Sequence, residues 1–127
     1  MRTGLVIAAI LSALVIGTGA LITHAVEAQA DACLSAAHEV ASLADMREWA
    51  RAGETCRAYE AEWKTSLAWL TLVLPEDTTD RITEAFAALG TYILVEDHTM
   101  CLQTAEELKQ AAEHMLEGEQ LTAQSLL

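Results

Sequence analysis

MREWARAGETCRAYEAEWKTSLAWLTLVL, residues 46–74, decides the fold. Its apolar and small positions Trp49, Ala52, Cys56, Tyr59, Trp63, Ser66, Leu70 and Val73 advance by alternating steps of three and four. That spacing, the coiled-coil-like rhythm, collects them on one face of an α-helix, whereas a strand would alternate by two. A helix with a single long seam must be covered by other helices. The two seam tryptophans are therefore expected to pack in a core. Asp45 is placed to cap this helix, with Glu48 three residues on completing a capping box, and Pro75 is placed to stop it.

Working outward, the acidic run Glu76-Asp77-Thr78-Thr79-Asp80 reads as a turn in which Asp77 or Thr78 caps a third helix. Ile82, Phe86, Leu89 and Ile93 mark the buried face of that helix. Glu96-Asp97-His98 reads as the next turn, with Asp97 as cap. A fourth helix follows, with Cys101, Ala105, Leu108, Ala112 and Met115 on one stripe, and Gly118 is expected to end it. In the other direction there is neither Gly nor Pro from residue 20 to residue 44. An Ala-rich stalk with the seam Val26, Ala30, Cys33, Ala37, Val40 and Ala44 is therefore expected to run unbroken out of the preceding apolar segment. One Pro and one Phe in 127 residues agree with an all-α chain. The expected fold is all-α, an N-terminal transmembrane helix continuing into an antiparallel up-down helical bundle of three to four helices. Residues 1–24 form the anchor and residues 25–127 one bundle domain.

Residues 5–22, LVIAAILSALVIGTGALI, run from Leu5 to Ile22 without a charge. About twenty helical residues cover the ~30 Å hydrocarbon core, and the apolar part of a cleaved signal is usually shorter. Arg2 before the span, with only Glu27 and Asp31 soon after it, places the N-terminus in the cytoplasm and the bundle outside. The rival reading is cleavage after Ala30, in Ala28-Gln29-Ala30, releasing a secreted helical domain. Ala9, Ala13 and Gly17 recur every four residues and would permit a homodimer through the span. The second helix is expected to be longer than the stalk it packs against, so its far end returns to the bilayer. Trp69, Leu70, Leu72 and Val73 are the expected interaction residues there, at the outer membrane interface. The rival is that the third and fourth helices cover them. The C-terminal leucines are expected to return to the same side.

Arg2 is the only charge before Glu27, leaving 6 basic against 19 acidic side chains, a net of -13 beyond the span. Such a surface repels phosphate backbones, so no nucleic-acid partner is expected. The bilayer is the expected partner of the N-terminal helix, and another membrane or envelope protein that of the bundle. Cys33, Cys56 and Cys101 form neither a CxxC pair nor a haem-attachment motif. They are expected as buried thiols, with one disulfide the alternative. His98 with Cys101, and His114 with Glu117, are spaced to share helix faces and are the candidate metal ligands, although two ligands rarely make a site. The acidic turn lacks the alternating ligands of an EF-hand loop. There is no phosphate-binding glycine loop and no nucleophile elbow, so neither an enzyme nor a cofactor is expected.

The order of landmarks resembles the bacterial family catalogued as domain of unknown function 4363, small N-terminally anchored helical proteins. The shared features are Glu48-Trp49, Trp63 fourteen residues later, an acidic turn leading to Asp80-Arg81-Ile82, then Leu89, Tyr92-Ile93, Glu96-Asp97, His114-Met115 and a Leu-Leu ending. The chain departs from the pattern at Glu76, preceded by Pro75, where the family has a histidine, and at Ser125, where the ending usually carries Asn. The resemblance implies a membrane-anchored helical exterior domain from a Gram-positive-type bacterium and no activity. The functional expectation is a structural or interaction module at the outer face of the cytoplasmic membrane. A metal- or small-ligand-binding sensory domain is the alternative.

Overall fold

A computed structural model of the chain describes residues 2–126, with side chains described for residues 2–118. Four helices account for nearly all of it: α1 Arg2–Asp45, α2 Trp49–Val73, α3 Glu76–Leu94 and α4 His98–Leu126. No strand occurs among the described residues. Each helix packs on its neighbours in sequence, and α4 closes on α1 in the most extensive contact of the four. Connections of two or three residues force consecutive helices antiparallel, giving an up-down-up-down four-helix bundle.

α1 has two halves. From Arg2 to Leu21 every side chain is exposed. From Val26 onward the same helix is a wall of the bundle, burying Val26, Ala30, Cys33, Ala36, Ala37, Val40, Leu43 and Ala44. Alanines on this face and at Ala105, Ala111 and Ala112 of α4 leave room for close helix approach. The bulk of the core comes from α2 and α3, where Trp63, Leu70, Ile82, Phe86 and Leu89 are fully buried. One polar chain crosses that region. Trp63 Nε1 donates to Thr83 Oγ1 at 2.9 Å, and Thr83 Oγ1 donates to the carbonyl of Thr79 at 2.8 Å. Among the described residues no buried side-chain nitrogen or oxygen lacks a partner.

The helix ends correct several sequence expectations. Asp45 does not cap α2; it is the last residue of α1, and the cap position belongs to Glu48, whose side chain makes no capping bond. Glu48 instead pairs with Arg51 at 2.6 Å. The chain reverses because Arg47 adopts φ 60, which lets Glu48 N reach the Leu43 carbonyl at 2.9 Å and Arg47 N the Ala44 carbonyl at 3.1 Å. This is a Schellman closure with arginine where glycine is usual. α3 closes the same way, with Glu96 at φ 56 and Asp97 N donating to the Tyr92 carbonyl at 2.9 Å. α3 starts after Pro75, so Asp77 and Thr78 lie inside its first turn, where the acidic pair Glu76 and Asp77 suits the positive end of the helix. Gly118 does not end α4, which continues to Leu126. A helical glycine costs only about 1 kcal/mol, too little to stop a helix by itself. The terminal leucines Leu126 and Leu127 lie outside the described side chains.

Asp97 is a true cap, its Oδ1 accepting from Met100 N at 3.1 Å. Replacing Asp97 with alanine is expected to lower stability by about 1 kcal/mol, whereas Glu48→Ala, which removes no cap, should change it by a few tenths. Thermal unfolding of the two variants followed by far-UV circular dichroism makes the comparison. Equal losses would remove the distinction.

Candidate functional site

The proposed metal ligands are placed apart. His98 opens α4 and sets Nε2 2.6 Å from Asp45 Oδ1, tying the start of α4 to the end of α1. Cys101, one turn on, is fully buried. His114 and Glu117 lie sixteen residues or more beyond His98, ~24 Å along the helix axis. Both are exposed, beside Arg81, Glu107 and Glu113 in a shallow groove between α3 and α4. Among the described residues no three or more His, Cys, Asp or Glu side chains come together in a way that could hold a metal ion.

The cysteines are free and buried, one each on α1, α2 and α4. Burial, with Glu62 adding to it, pushes the Cys33 thiol up to about 12. Cys56 is pushed up to about 11 by burial, then by Glu60 and the neighbouring Cys101, against a smaller opposing effect of Arg57. Burial and Asp97 also raise Cys101. Nucleophilic attack and soft-metal binding need thiolate, which such groups do not supply near neutral pH.

What remains distinctive is apolar side chains in water at the two ends of the bundle. At one end α2 finishes on Trp69, half-buried; Leu72, 84% exposed; and Val73, 39% exposed. Leu70, expected with them as a contact residue, is fully buried instead, because it is the last seam position that faces the core. The rival expectation, burial of this whole end, describes Leu70 and not Leu72. α2 has 25 residues, ~37 Å, against ~30 Å for the part of α1 from Val26 onward, and its far end comes down to the level of the first core residues of the stalk without passing them.

The level of that end follows from register. Asp45 meets His98, and Leu34, His38 and Ala41 of α1 share a groove with Leu102, Ala105 and Lys109 of α4. The same antiparallel offset carries residues 115–118 level with residues 25–28. Val73, Leu74 and Pro75 in turn line one cleft with His114, Met115 and Gly118. The α2–α3 turn therefore stands just above the point where the exposed apolar half of α1 begins.

At the other end the two left-handed loops present Met46, Leu94 and Val95, 57%, 83% and 65% exposed. Sequence reasoning missed this second patch. The signal was present in Leu94-Val95, two large apolar residues beyond the Ile93 seam position and directly before a turn.

A family model described as Domain of unknown function (DUF4363) matches residues 20–126. No curated protein and no solved structure matches the chain.

Proposed function

The chain belongs to the DUF4363 family, a domain of unknown function, and we propose that it is a single-pass anchored helical bundle serving as a structural or interaction module at the outer face of the cytoplasmic membrane. One observation carries this reading. α1 contains a segment long and apolar enough to cross a membrane, none of it is buried in the bundle, and it continues without a break into the core-forming stalk. So large an apolar surface left in water is unfavourable, and a bilayer would cover it. On this reading residues 1–24 are the anchor and residues 25–127 the exterior domain. Arg2 on one side and Glu27 with Asp31 on the other favour a cytoplasmic N-terminus. The anchor runs straight into the fold on the same helix, where Val26 and Ala30 are core residues that a cut after Ala30 would remove. The module has no assigned reaction. Its partner would be another membrane or envelope protein, met through the span or the exposed apolar residues of the bundle.

The test is membrane fractionation of cells expressing the full chain, with intact mass measured on what is recovered. The full-length mass is expected in the membrane pellet after alkaline extraction, and Leu11→Asp with Leu14→Asp should move most of the protein out of it, because each central acidic residue costs roughly 3 kcal/mol of insertion. A soluble fragment beginning at Asp31 would instead show cleavage and overturn the anchor.

A further inference from the structure

We propose that the groove between the first half of α2 and the second half of α3 is a docking surface, and that its occupant is an amphipathic helix of another protein carrying Lys or Arg beside an apolar stripe. The proposal rests on the interaction-module reading above and gives it a surface and a chemistry. The groove encloses about 470 Å³ between Trp49, Gly53 and Arg57 of α2 and Gly90, Ile93 and Leu94 of α3. From Trp49 to Glu60 it is ~17 Å long at the helical rise, the length of about three turns of a helix laid into it. Trp49 is half-buried and Leu94 exposed, so the lining offers apolar surface to an outside helix.

The two glycines are the first sign of that helix. Glycine inside a helix costs about 1 kcal/mol against alanine, so each needs a reason. Gly53 has one within the chain, because a Cβ there would stand 3.4 Å from Nη1 of Arg57, whose guanidinium folds back over it. Gly90 has none. It is exposed, and a Cβ there would meet nothing within 4 Å. No contact among the described residues requires a glycine at that position, whereas a partner lying close along the groove would.

Charge selects the occupant. Glu54, Glu60 and Glu96 rim the groove, against Arg57 as its one basic residue. Among the described residues Glu60 has Lys64 at 4.0 Å, while neither Glu54 nor Glu96 has an ion-pair partner. A second copy of so acidic a chain would bring like charge to this rim, and so would an anionic partner. Lysine or arginine flanking an apolar stripe meets waiting carboxylates instead. Met46 and Val95, exposed at the same end as Leu94, extend the apolar surface beyond the groove.

The experiment uses the full chain in phosphatidylcholine nanodiscs. The probe is a fluorescent leucine–lysine peptide about 18 residues long and amphipathic as a helix, with a leucine–glutamate peptide as its counterpart and empty nanodiscs as the blank. The lysine peptide is expected to bind and the glutamate peptide not to. Gly90→Leu fills the groove where the chain leaves room, so the fold should stand while binding weakens about tenfold. Glu54→Lys with Glu60→Lys should weaken it as much, whereas Glu107→Lys with Glu113→Lys, the same charge change on exposed positions of α4, should cost less than about threefold. Arg57→Ala removes the one cation and should tighten binding. No binding of the lysine peptide, or equal weakening by the two charge pairs, would overturn the groove, the second by showing diffuse attraction to an acidic domain. Preference for the glutamate peptide, lost in Arg57→Ala, would overturn the occupant by showing an anionic one. A chain that binds the lysine peptide in this pattern yet is not retained in the nanodisc would overturn the anchor and support the groove.

Discussion

Trp63→Ala is expected to destabilise the bundle by about 3–5 kcal/mol, enough to consume much of the stability of a domain this size. Trp63 is 1% exposed and is the largest fully buried side chain, so its removal takes away both its transfer free energy and the packing of everything around the vacancy. α2 and α3 are held there by more than contact. The indole donates to Thr83 Oγ1, and Thr83 donates onward to Thr79 of the same helix. Trp63→Phe keeps most of the apolar burial and leaves Thr83 its own acceptor, so about 1–2 kcal/mol is expected. Thr83→Val is the sharper probe. It leaves the indole N–H without an acceptor inside a core, at a cost of about 1–3 kcal/mol, although it changes only a half-buried residue of nearly equal volume. Unfolding by urea in mild detergent, followed by far-UV circular dichroism, gives all three values. A Trp63→Ala loss below 1 kcal/mol would mean that the seam does not organise the bundle.

Trp63 was readable from the sequence because its seam repeats over seven turns. Of the eight seam residues, Ala52, Cys56, Trp63, Ser66 and Leu70 are buried, Trp49 and Tyr59 are half-buried, and Val73 emerges into solvent. Periodicity reports a face reliably in the middle of a helix, where several turns agree, and poorly at the last turn, where neighbouring elements decide what is covered. Leu70 and Leu72 show the difference, two residues apart and at opposite extremes of exposure. The loops failed for another reason. Asp45 and Glu48 have the spacing of a capping box, but α1 keeps Asp45 as its last residue and Arg47 in the left-handed region closes it, so that α2 starts only at Trp49. Glycine usually announces that conformation, and neither Arg47 nor Glu96 does. Asp97 was legible because a short acid directly before a helix has a single geometric role to fill. The exposed ends were legible only in part, since position on a face comes from spacing, while the level of one helix end against another needs the α1–α4 register.

The second large effect expected is loss of stability at alkaline pH through the buried thiols. Below roughly pH 8.5, the value of an ordinary thiol, folded and unfolded chains both hold these protons, and stability is indifferent to them. As pH rises beyond that, the unfolded chain ionises, while the folded chain keeps Cys33 protonated up to about 12 and Cys56 up to about 11. The unfolded state therefore gains free energy that the folded state does not. Stability contributed by these groups is complete below about pH 8.5 and is lost between there and about pH 12. The shift of Cys33 from 9.0 to about 12 corresponds to a loss on the order of 4 kcal/mol by the top of that range. Tyr59, raised by burial and by Glu39, adds to the decline in the same direction. Cys33→Ala separates the thiol from the rest. It should lower the melting midpoint modestly at pH 7, by the loss of a small buried side chain, and flatten the decline between about pH 9 and pH 11. Wild-type and variant midpoints that fall in parallel over that range would show that Cys33 is not a titrating core group. The same burial bears on the address proposed for the domain. At that address three unpaired cysteines would meet oxidising conditions that favour disulfides, and thiols kept neutral and enclosed among α1, α2 and α4 react only when the bundle opens. Alkylation of the folded chain at pH 8 should accordingly be limited by unfolding rather than by reagent, and should slow as the bundle is stabilised.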